Sequence, residues 1–242
     1  MKTSKFLLVF MLAALFVGFS ACGDDDDIIV KLEKSNAEVE KDSTIIVKIT
    51  DGNGGYTVTT ADDKVATATI KDNTVIIKGI ALGNTSITVK DKEGKTAALT
   101  VSVFNIVGDW TVSESKIEVT GVAEQDAEEI KADFNSNKPK NLSLKSDGTF
   151  ELKAVIVKEK ATAAEETEDI ETTTGTYTYK DKVLTLTSDI EEGDEEDADI
   201  KVLKVTEFTK SSLKAESDEI DTYKDDYPAL TKATASFSMT RE

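Results

Sequence analysis

The sequence predicts an all-β protein, in which a β-sandwich is followed by an eight-stranded up-and-down β-barrel with one short helix. Segments rich in Val, Ile and Thr recur about every eight to twelve residues, and turns that contain Gly, Asn or Asp separate them. In several segments apolar and polar residues alternate with a period of two, as in strands that are buried on one face. Beyond the N-terminal segment about 220 residues remain, which is enough for one large or two ordinary domains.

The N-terminal segment has the order of features found in a secretory signal peptide. Lys2 and Lys5 precede an apolar run at residues 6–19, and the small residues Ser20 and Ala21 follow it. The run is too short for a spanning helix, which needs roughly 20 apolar residues. It also ends close to aspartates, which enter hydrocarbon only at a high cost. We therefore expect residues 1–21 to be a signal peptide that is removed.

The single cysteine of the chain, Cys22, follows this segment directly. The stretch Phe19-Ser20-Ala21-Cys22 resembles the lipobox of bacterial lipoproteins, although that family usually has Leu where Phe19 stands. The resemblance implies that Cys22 is a lipid attachment site, and two or more acyl chains such as palmitate bind a membrane stably. The alternative is an ordinary signal peptide that leaves Cys22 as a free thiol, which is unusual in an exported protein.

Residues 22–27 are predicted to be an acidic tether, because Asp24 to Asp27 form a charged and hydrated spacer. An acidic tract directly after the cysteine also resembles the tag that exports lipoproteins to the cell surface in some Gram-negative groups. That resemblance implies lipid anchoring in the outer membrane at the cell surface. A plain tether would instead leave the protein on the periplasmic face of the outer membrane.

Residues 28–103 are predicted to form the first domain, an immunoglobulin-like sandwich of about seven short strands. The turns at 51–55 and 92–95 contain the glycines that tight connections need. The stretches 59–68 and 78–89 are similar to the S-D-x-x-V-A-T and G-x-x-x-G-x-x-x-I-T-V signatures of bacterial Ig-like group 2 domains, with Val58 in place of the usual tryptophan. The resemblance implies a spacer or, alternatively, an adhesive module on an exported protein.

Residues 104–242 are predicted to form the second domain, a β-barrel. No Pro-, Ser- or Gly-rich linker precedes it, so we expect the two domains to be held closely. Eight strands are predicted, at approximately 109–119, 140–146, 149–158, 172–180, 182–189, 199–207, 211–217 and 233–241. Consecutive hairpins of even number close naturally into an up-and-down barrel, which removes exposed strand edges.

The only tryptophan, Trp110, lies near the start of the first predicted barrel strand, and the only arginine, Arg241, lies at the end of the last. A period of two places Arg241 on the same face as Phe237 and Met239. Because the first and last strands of a closed barrel are neighbours, we expect a cation–π contact between Arg241 and Trp110 that closes the barrel. The alternative is that Trp110 is an ordinary core residue and Arg241 is solvated.

The stretch Gly108-Asp109-Trp110, together with Arg241, resembles the G-x-W motif and the closing arginine of the lipocalins. The resemblance implies a lipocalin-like barrel over residues 104–242. One helix is predicted at residues 122–134, with Ile130 and Phe134 on its apolar face. Lipocalins usually carry their helix before the last strand, so this position departs from the family. We expect the helix to plug one end of the barrel; the alternative is a lid over a barrel mouth.

Several kinds of active site are excluded by composition. The chain has no histidine, and Cys22 is assigned to lipid, so Ser–His and Cys–His nucleophiles and histidine-based zinc or iron sites are excluded. The acidic runs at 165–169 and 191–197 are typical of solvated loops rather than of paired catalytic carboxylates. The second run lacks the spacing of an EF-hand loop, so a solvated hairpin tip is favoured over weak calcium binding. We expect no enzymatic activity, no cofactor and no metal.

The charge of the chain is unevenly distributed. The net charge is −18, but residues 28–103 hold 10 lysines and 10 acidic residues, whereas residues 104–242 carry a net charge of −16. So acidic a region repels nucleic acid, and we expect no nucleic-acid partner.

The sequence therefore favours a non-enzymatic, lipid-anchored envelope protein, in which an Ig-like spacer presents a barrel that binds a small apolar ligand. An eight-stranded barrel is just wide enough to hold one small ligand. The candidate ligand-binding residues are those expected to point into the barrel: Trp110, Val112, Leu142, Leu144, Phe150, Leu152, Tyr177, Tyr179, Phe237 and Met239. The alternative is a protein-interaction or inhibitor module, in which the barrel is filled and the acidic outer loops meet a basic extracellular protein.

Overall fold

The computed structural model describes residues 28–158, 167–189 and 199–241. The predicted signal peptide, Cys22 and the acidic tether lie outside the described residues, as does the acidic run at 191–197. The described chain consists mostly of β-strands, which confirms the predicted all-β class. Within these residues, no helix has the length and apolar character needed to span a membrane.

The first part of the chain forms two four-stranded sheets that share one hydrophobic core. The strands are β1 (Lys31–Leu32), β2 (Asn36–Glu40), β3 (Thr44–Asp51), β4 (Thr57–Thr60), β5 (Ala66–Lys71), β6 (Thr74–Gly79), β7 (Gly83–Lys90) and β8 (Thr96–Phe104). The order is β1-β3-β6-β5 in one sheet and β2-β8-β7-β4 in the other. Residues of both sheets, such as Val47 and Leu99, are completely buried, so the predicted sandwich is confirmed.

The structure has eight strands in this region, where about seven were predicted, and β2 is the additional strand. Of residues 28–34, only two belong to β1, and the chain then forms β2 parallel to β8. Ala37 and Val39 of β2 are buried, while Asn36 and Glu38 are exposed. Asn and Glu have a low strand propensity, which masks the alternation in the sequence.

The second part of the chain forms a closed eight-stranded antiparallel barrel, as predicted. The strands are β9 (Gly108–Thr120), β10 (Asn137–Leu144), β11 (Thr149–Lys158), β12 (Thr167–Lys180), β13 (Val183–Ser188), β14 (Ile200–Phe208), β15 (Ser212–Asp218) and β16 (Lys232–Thr240). Each strand pairs with the next along the chain, and β16 pairs with β9 to complete the barrel. Strand β12 begins five residues earlier than predicted, and the other bounds differ by three residues or fewer.

Alternation of residue type determines which face of each barrel strand is buried. In β16, Ala233, Ala235, Phe237 and Met239 are buried, and the residues between them are more exposed. The hairpin between β12 and β13 turns through Asp181 and Lys182, whose φ angles of 53° and 63° match the type I′ turns that suit twisted strands. Register and strand twist are therefore set by local sequence at this hairpin.

Two helices accompany the barrel. Helix α1 (Glu124–Ser136) connects β9 to β10, and its buried residues are Ile130 and Phe134. It lies two residues later than predicted, with the expected apolar face. Helix α2 (Ile220–Tyr223), between β15 and β16, was not predicted, because a single turn is too short to show apolar periodicity.

The sandwich and the barrel have separate cores but contact each other at one end of the barrel. Phe104, at the end of β8, packs edge-on against Phe208 of β14, with ring centroids 4.9 Å apart. The Lys210 amide, in the turn before β15, donates to the Glu38 carboxylate of β2 at 3.0 Å. This end of the barrel is therefore held against the sandwich, and α1 and α2 lie at the other end.

Candidate ligand-binding cavity

A cavity of about 260 Å³ lies inside the barrel, at the end covered by the two helices. Apolar side chains from the barrel strands form most of its wall. Phe134 of α1 and Tyr223 of α2 form its roof, and the Phe134 ring lies 6.2 Å from that of Phe237. The barrel is therefore not filled completely by its own side chains.

Half of the predicted interior residues line this cavity. They belong to the neighbouring strands β16, β9, β10 and β11, and are Val112, Leu142, Leu152, Phe237 and Met239. The opposite wall contains Leu186 of β13 and Leu203 of β14, which were not predicted. Both leucines have the inward position in a period-two pattern, so the sequence contained the signal that identifies them.

The other five predicted residues lie nearer the sandwich end of the barrel. Trp110, Leu144 and Phe150 are buried there in the barrel core but do not line the cavity. The Tyr177 hydroxyl donates to the Lys145 carbonyl at 2.9 Å, and Tyr179 packs edge-on against Phe208 at 5.9 Å. A period of two tells which face a residue occupies but not its height in the barrel, so it does not separate the filled end from the hollow end.

The sandwich end of the barrel is filled around Trp110, which is completely buried. The indole nitrogen donates to the Ile106 carbonyl at 2.9 Å. The guanidinium carbon of Arg241 lies 4.3 Å from the centre of the indole ring, a distance at which a cation–π interaction is favourable. The Phe208 ring lies 6.0 Å from the same indole.

Arg241 also joins three main-chain segments. Its guanidinium donates to the carbonyls of Asn105 and Val107 at 2.8 Å and 2.6 Å, and to that of Lys210. Burial lowers the pKa of Arg241, although Glu38 opposes this shift. Arg241 is thus bonded to the segment that leaves the sandwich and to the turn before β15, and is not a solvated residue.

A second polar contact between sandwich and barrel involves Glu40 and Tyr179. The Tyr179 oxygen is buried and, in the part of the chain that the structure describes, has no partner at good hydrogen-bonding geometry. The Glu40 carboxylate is nevertheless close enough to interact with it. Burial raises the pKa of Glu40, while Tyr179 and Lys182 partly oppose the shift. The ionised Glu40 side chain is therefore poorly accommodated at this contact.

The polar part of the cavity wall contains an ion pair. Lys201 Nζ lies 2.9 Å from Glu219 Oε1, and the Glu219 side chain is only 11% exposed. Lys201 also lies 5.8 Å from the centre of the Phe237 ring, and Ser217 donates to the Glu219 carboxylate. Lys201 comes before Leu203 and Val205 in β14 and has the same inward position as they do. The same period of two could therefore have identified it in the sequence.

Two tyrosine hydroxyls connect α1 to the segment that begins with α2. Tyr223 donates to Asp133 Oδ2 at 2.9 Å, and Tyr227 donates to Glu129 Oε2 at 3.3 Å. Burial, together with the bond to Asp133, raises the pKa of Tyr223, which keeps its hydroxyl protonated and able to donate. The roof of the cavity is therefore fastened by side-chain bonds in addition to apolar packing.

The wall of the cavity combines mostly apolar side chains with a few polar ones. Among the described residues, no cluster of three or more Asp, Glu, Cys or His side chains is placed to hold a metal ion. An apolar cavity with a small number of polar groups at one side is typical of sites that bind small molecules. No protein-family model matches the chain, and no curated protein matches it.

Proposed function

We propose that the chain is a non-enzymatic, lipid-anchored protein of the cell envelope whose barrel binds one small apolar ligand. The cavity of about 260 Å³ between the barrel wall and the helices is the observation that carries this proposal. A dry apolar cavity of about 150 Å³ is already large enough to bind benzene. A water molecule has one non-hydrogen atom and occupies about 30 Å³ in the liquid. On that scale, the cavity has room for a ligand of about nine non-hydrogen atoms.

The position of the cavity supports a presenting role for the sandwich. The sandwich contacts the filled end of the barrel through Phe104 and Glu38, and the cavity lies at the opposite end. With Cys22 anchored in the outer membrane and the Ig-like domain as a spacer, the hollow end of a lipocalin-like barrel would face away from the membrane. The ligand would then reach the roof without obstruction by the sandwich.

Native mass spectrometry of the purified full chain, before and after extraction with organic solvent, tests ligand binding. We expect an apolar adduct that disappears on extraction. Ala154→Leu places a larger side chain at the cavity wall and should prevent the adduct, whereas Ala98→Leu changes an exposed strand position in the sandwich and should retain it. A ligand-free mass in all three proteins, even after incubation with apolar compounds of suitable size, would contradict the proposal and favour a protein-interaction module.

Labelling with palmitate tests the anchor separately. The wild-type chain should incorporate label and sediment with outer membranes, and Cys22→Ala should do neither. If the wild-type chain remains unlabelled in a host that labels its own lipoproteins, the anchor is wrong, whatever the barrel binds.

A further inference from the structure

We propose that the ligand is a small apolar amine, whose ammonium group binds beside Asp133 at the polar side of the cavity. This inference rests on the proposed function and names the chemical class of its ligand. It follows from the charges around the cavity, from the pairing of the one cation among them, and from the orientation of α1.

Three charged residues of the described chain line the cavity. Asp133 and Glu219 are negative, and Lys201 is positive. The charged lining therefore has an excess of one negative charge. A cationic ligand neutralises this excess, whereas an anionic ligand increases it.

Lys201 is already paired, which makes it a poor site for an anion. It lies 2.9 Å from the Glu219 carboxylate, and the Glu219 side chain is only 11% exposed. A ligand carboxylate that took Lys201 would leave Glu219 almost buried without its cation. Separating a buried pair in this way is strongly unfavourable, because the remaining charge loses its cation and is largely shielded from water.

Helix α1 adds to the negative potential. Its C-terminal end, at Asp133 to Asn137, lies at the cavity, and both of these residues line it. The last turn of α1 contains no basic residue. The C-terminus of a helix carries about half a negative charge, which favours a cation nearby.

Asp133 can accept a bond from the ligand. Its carboxylate accepts one hydrogen bond from Tyr223, at 2.9 Å, and a carboxylate has about four acceptor positions. Asp133 is an exposed residue, so a ligand at the cavity can reach its carboxylate. The apolar body of the amine would lie against Leu142, Phe237 and Met239 in the interior.

Three compounds that each join a phenyl ring to a polar group through a short alkyl chain test the inference: 2-phenylethylamine, 2-phenylethanol and phenylacetate. Titration calorimetry of the full chain at pH 7 measures the dissociation constant of each. We expect the amine to bind about tenfold more tightly than the alcohol, as for one charge-assisted hydrogen bond, and phenylacetate to bind most weakly.

Asp133→Asn provides the matched variant, because the amide oxygen can still accept the Tyr223 bond while the charge is lost. The ratio of amine to alcohol affinity should fall about tenfold in this variant. Glu124→Gln removes the same charge from an exposed position in the first turn of α1, away from the cavity, and should leave the ratio unchanged.

The outcomes separate the two proposals. If all three compounds bind with similar affinity, or phenylacetate binds most tightly, the amine inference is overturned and the apolar cavity stands as a binding site. If Asp133→Asn weakens the amine and the alcohol equally, Asp133 acts on the roof and not on the ammonium, and the inference is overturned too. If none of the compounds binds to the wild-type chain, the proposed function fails together with the inference.

Discussion

The two ends of the barrel are closed in different ways. At the sandwich end, Trp110 and its neighbouring rings fill the interior, and Arg241 covers the indole. At the other end, the inward positions include the small residues Ala154, Ala233 and Ala235, and α1 covers the space that they leave. The same strand pattern thus makes a solid end and a hollow end, and side-chain volume decides between them.

Replacing Trp110 by Ala should have the largest effect on stability, because it empties the solid end. The variant loses a completely buried ring, a hydrogen bond to Ile106 and the contact with Arg241. We expect a loss of about 3 to 5 kcal/mol in the free energy of unfolding, measured by urea denaturation with circular dichroism. Glu114→Ala, on the exposed side of β9, is the control. A loss below about 1 kcal/mol for Trp110→Ala would mean that this end is not tightly packed.

Adding volume should distinguish the two ends directly. A methyl group on Gly175 would lie 2.0 Å from the Thr187 carbonyl oxygen and 2.8 Å from the Phe150 ring, so the backbone must shift. We expect Gly175→Ala to lower the free energy of unfolding by about 2 to 3 kcal/mol. Ala154→Leu, which points into the cavity, should change it by less than about 1 kcal/mol. Equal losses in the two variants would contradict the assignment of a solid and a hollow end.

Arg241→Lys tests whether the charge alone closes the solid end. Lysine keeps the positive charge but not the planar group that reaches the carbonyls of Asn105, Val107 and Lys210 together. We expect a loss of about 1 to 2 kcal/mol in the free energy of unfolding. The reverse exchange, Lys232→Arg, is the control. Lys232 is an exposed residue at the other end of β16, so this change should have little effect on the free energy of unfolding. Full stability of Arg241→Lys would show that the three bonds contribute nothing.

Glu40→Gln should have the smallest effect, and its sign depends on pH. Burial raises the pKa of Glu40, so the folded protein holds this proton more tightly than the unfolded chain does. Glu40 therefore costs stability above its raised pKa, and this cost disappears as the pH falls through that pKa. At pH 7 the variant should be more stable than the wild type by roughly 0.5 kcal/mol or less, since the site is partly solvated. The difference should shrink towards pH 4.

Glu33→Gln, an exposed change in the same part of the sandwich, is the control for this experiment. Thermal unfolding of the three proteins across the pH range gives the comparison. A Glu40→Gln variant that is less stable than the wild type at pH 7 would show that the ionised carboxylate stabilises the junction with the barrel.

The fold could be predicted from the sequence because its strands alternate clearly and its turns carry specific residues. Phe237 and Met239 in β16, and the Asp181-Lys182 turn, illustrate both signals. Strand β2 and helix α2 were missed for physical reasons. The outward residues of β2 have a low strand propensity, and α2 has too few residues for a period to appear.

The site could be predicted only in part. Period-two alternation identified inward residues such as Leu142, but it treats Trp110 in the same way, although Trp110 lies at the solid end. Height along the barrel depends on strand register and tilt, which act between distant segments. Lys201 and Glu219 were missed because only apolar residues were selected as candidates for the interior. Both are charged, and both line the cavity.

The bonds of Arg241 have a consequence for the order of folding. Two of the three carbonyls that it reaches, those of Val107 and Asn105, lie 134 and 136 positions before Arg241 in the chain. Contacts between such distant segments form slowly, because a long loop must close before they stabilise anything. The sandwich, which has a core of its own, emerges first from the ribosome, whereas the barrel can close only when its eighth strand is present. Until then Trp110 stays uncovered, so its fluorescence should report the final step of barrel assembly.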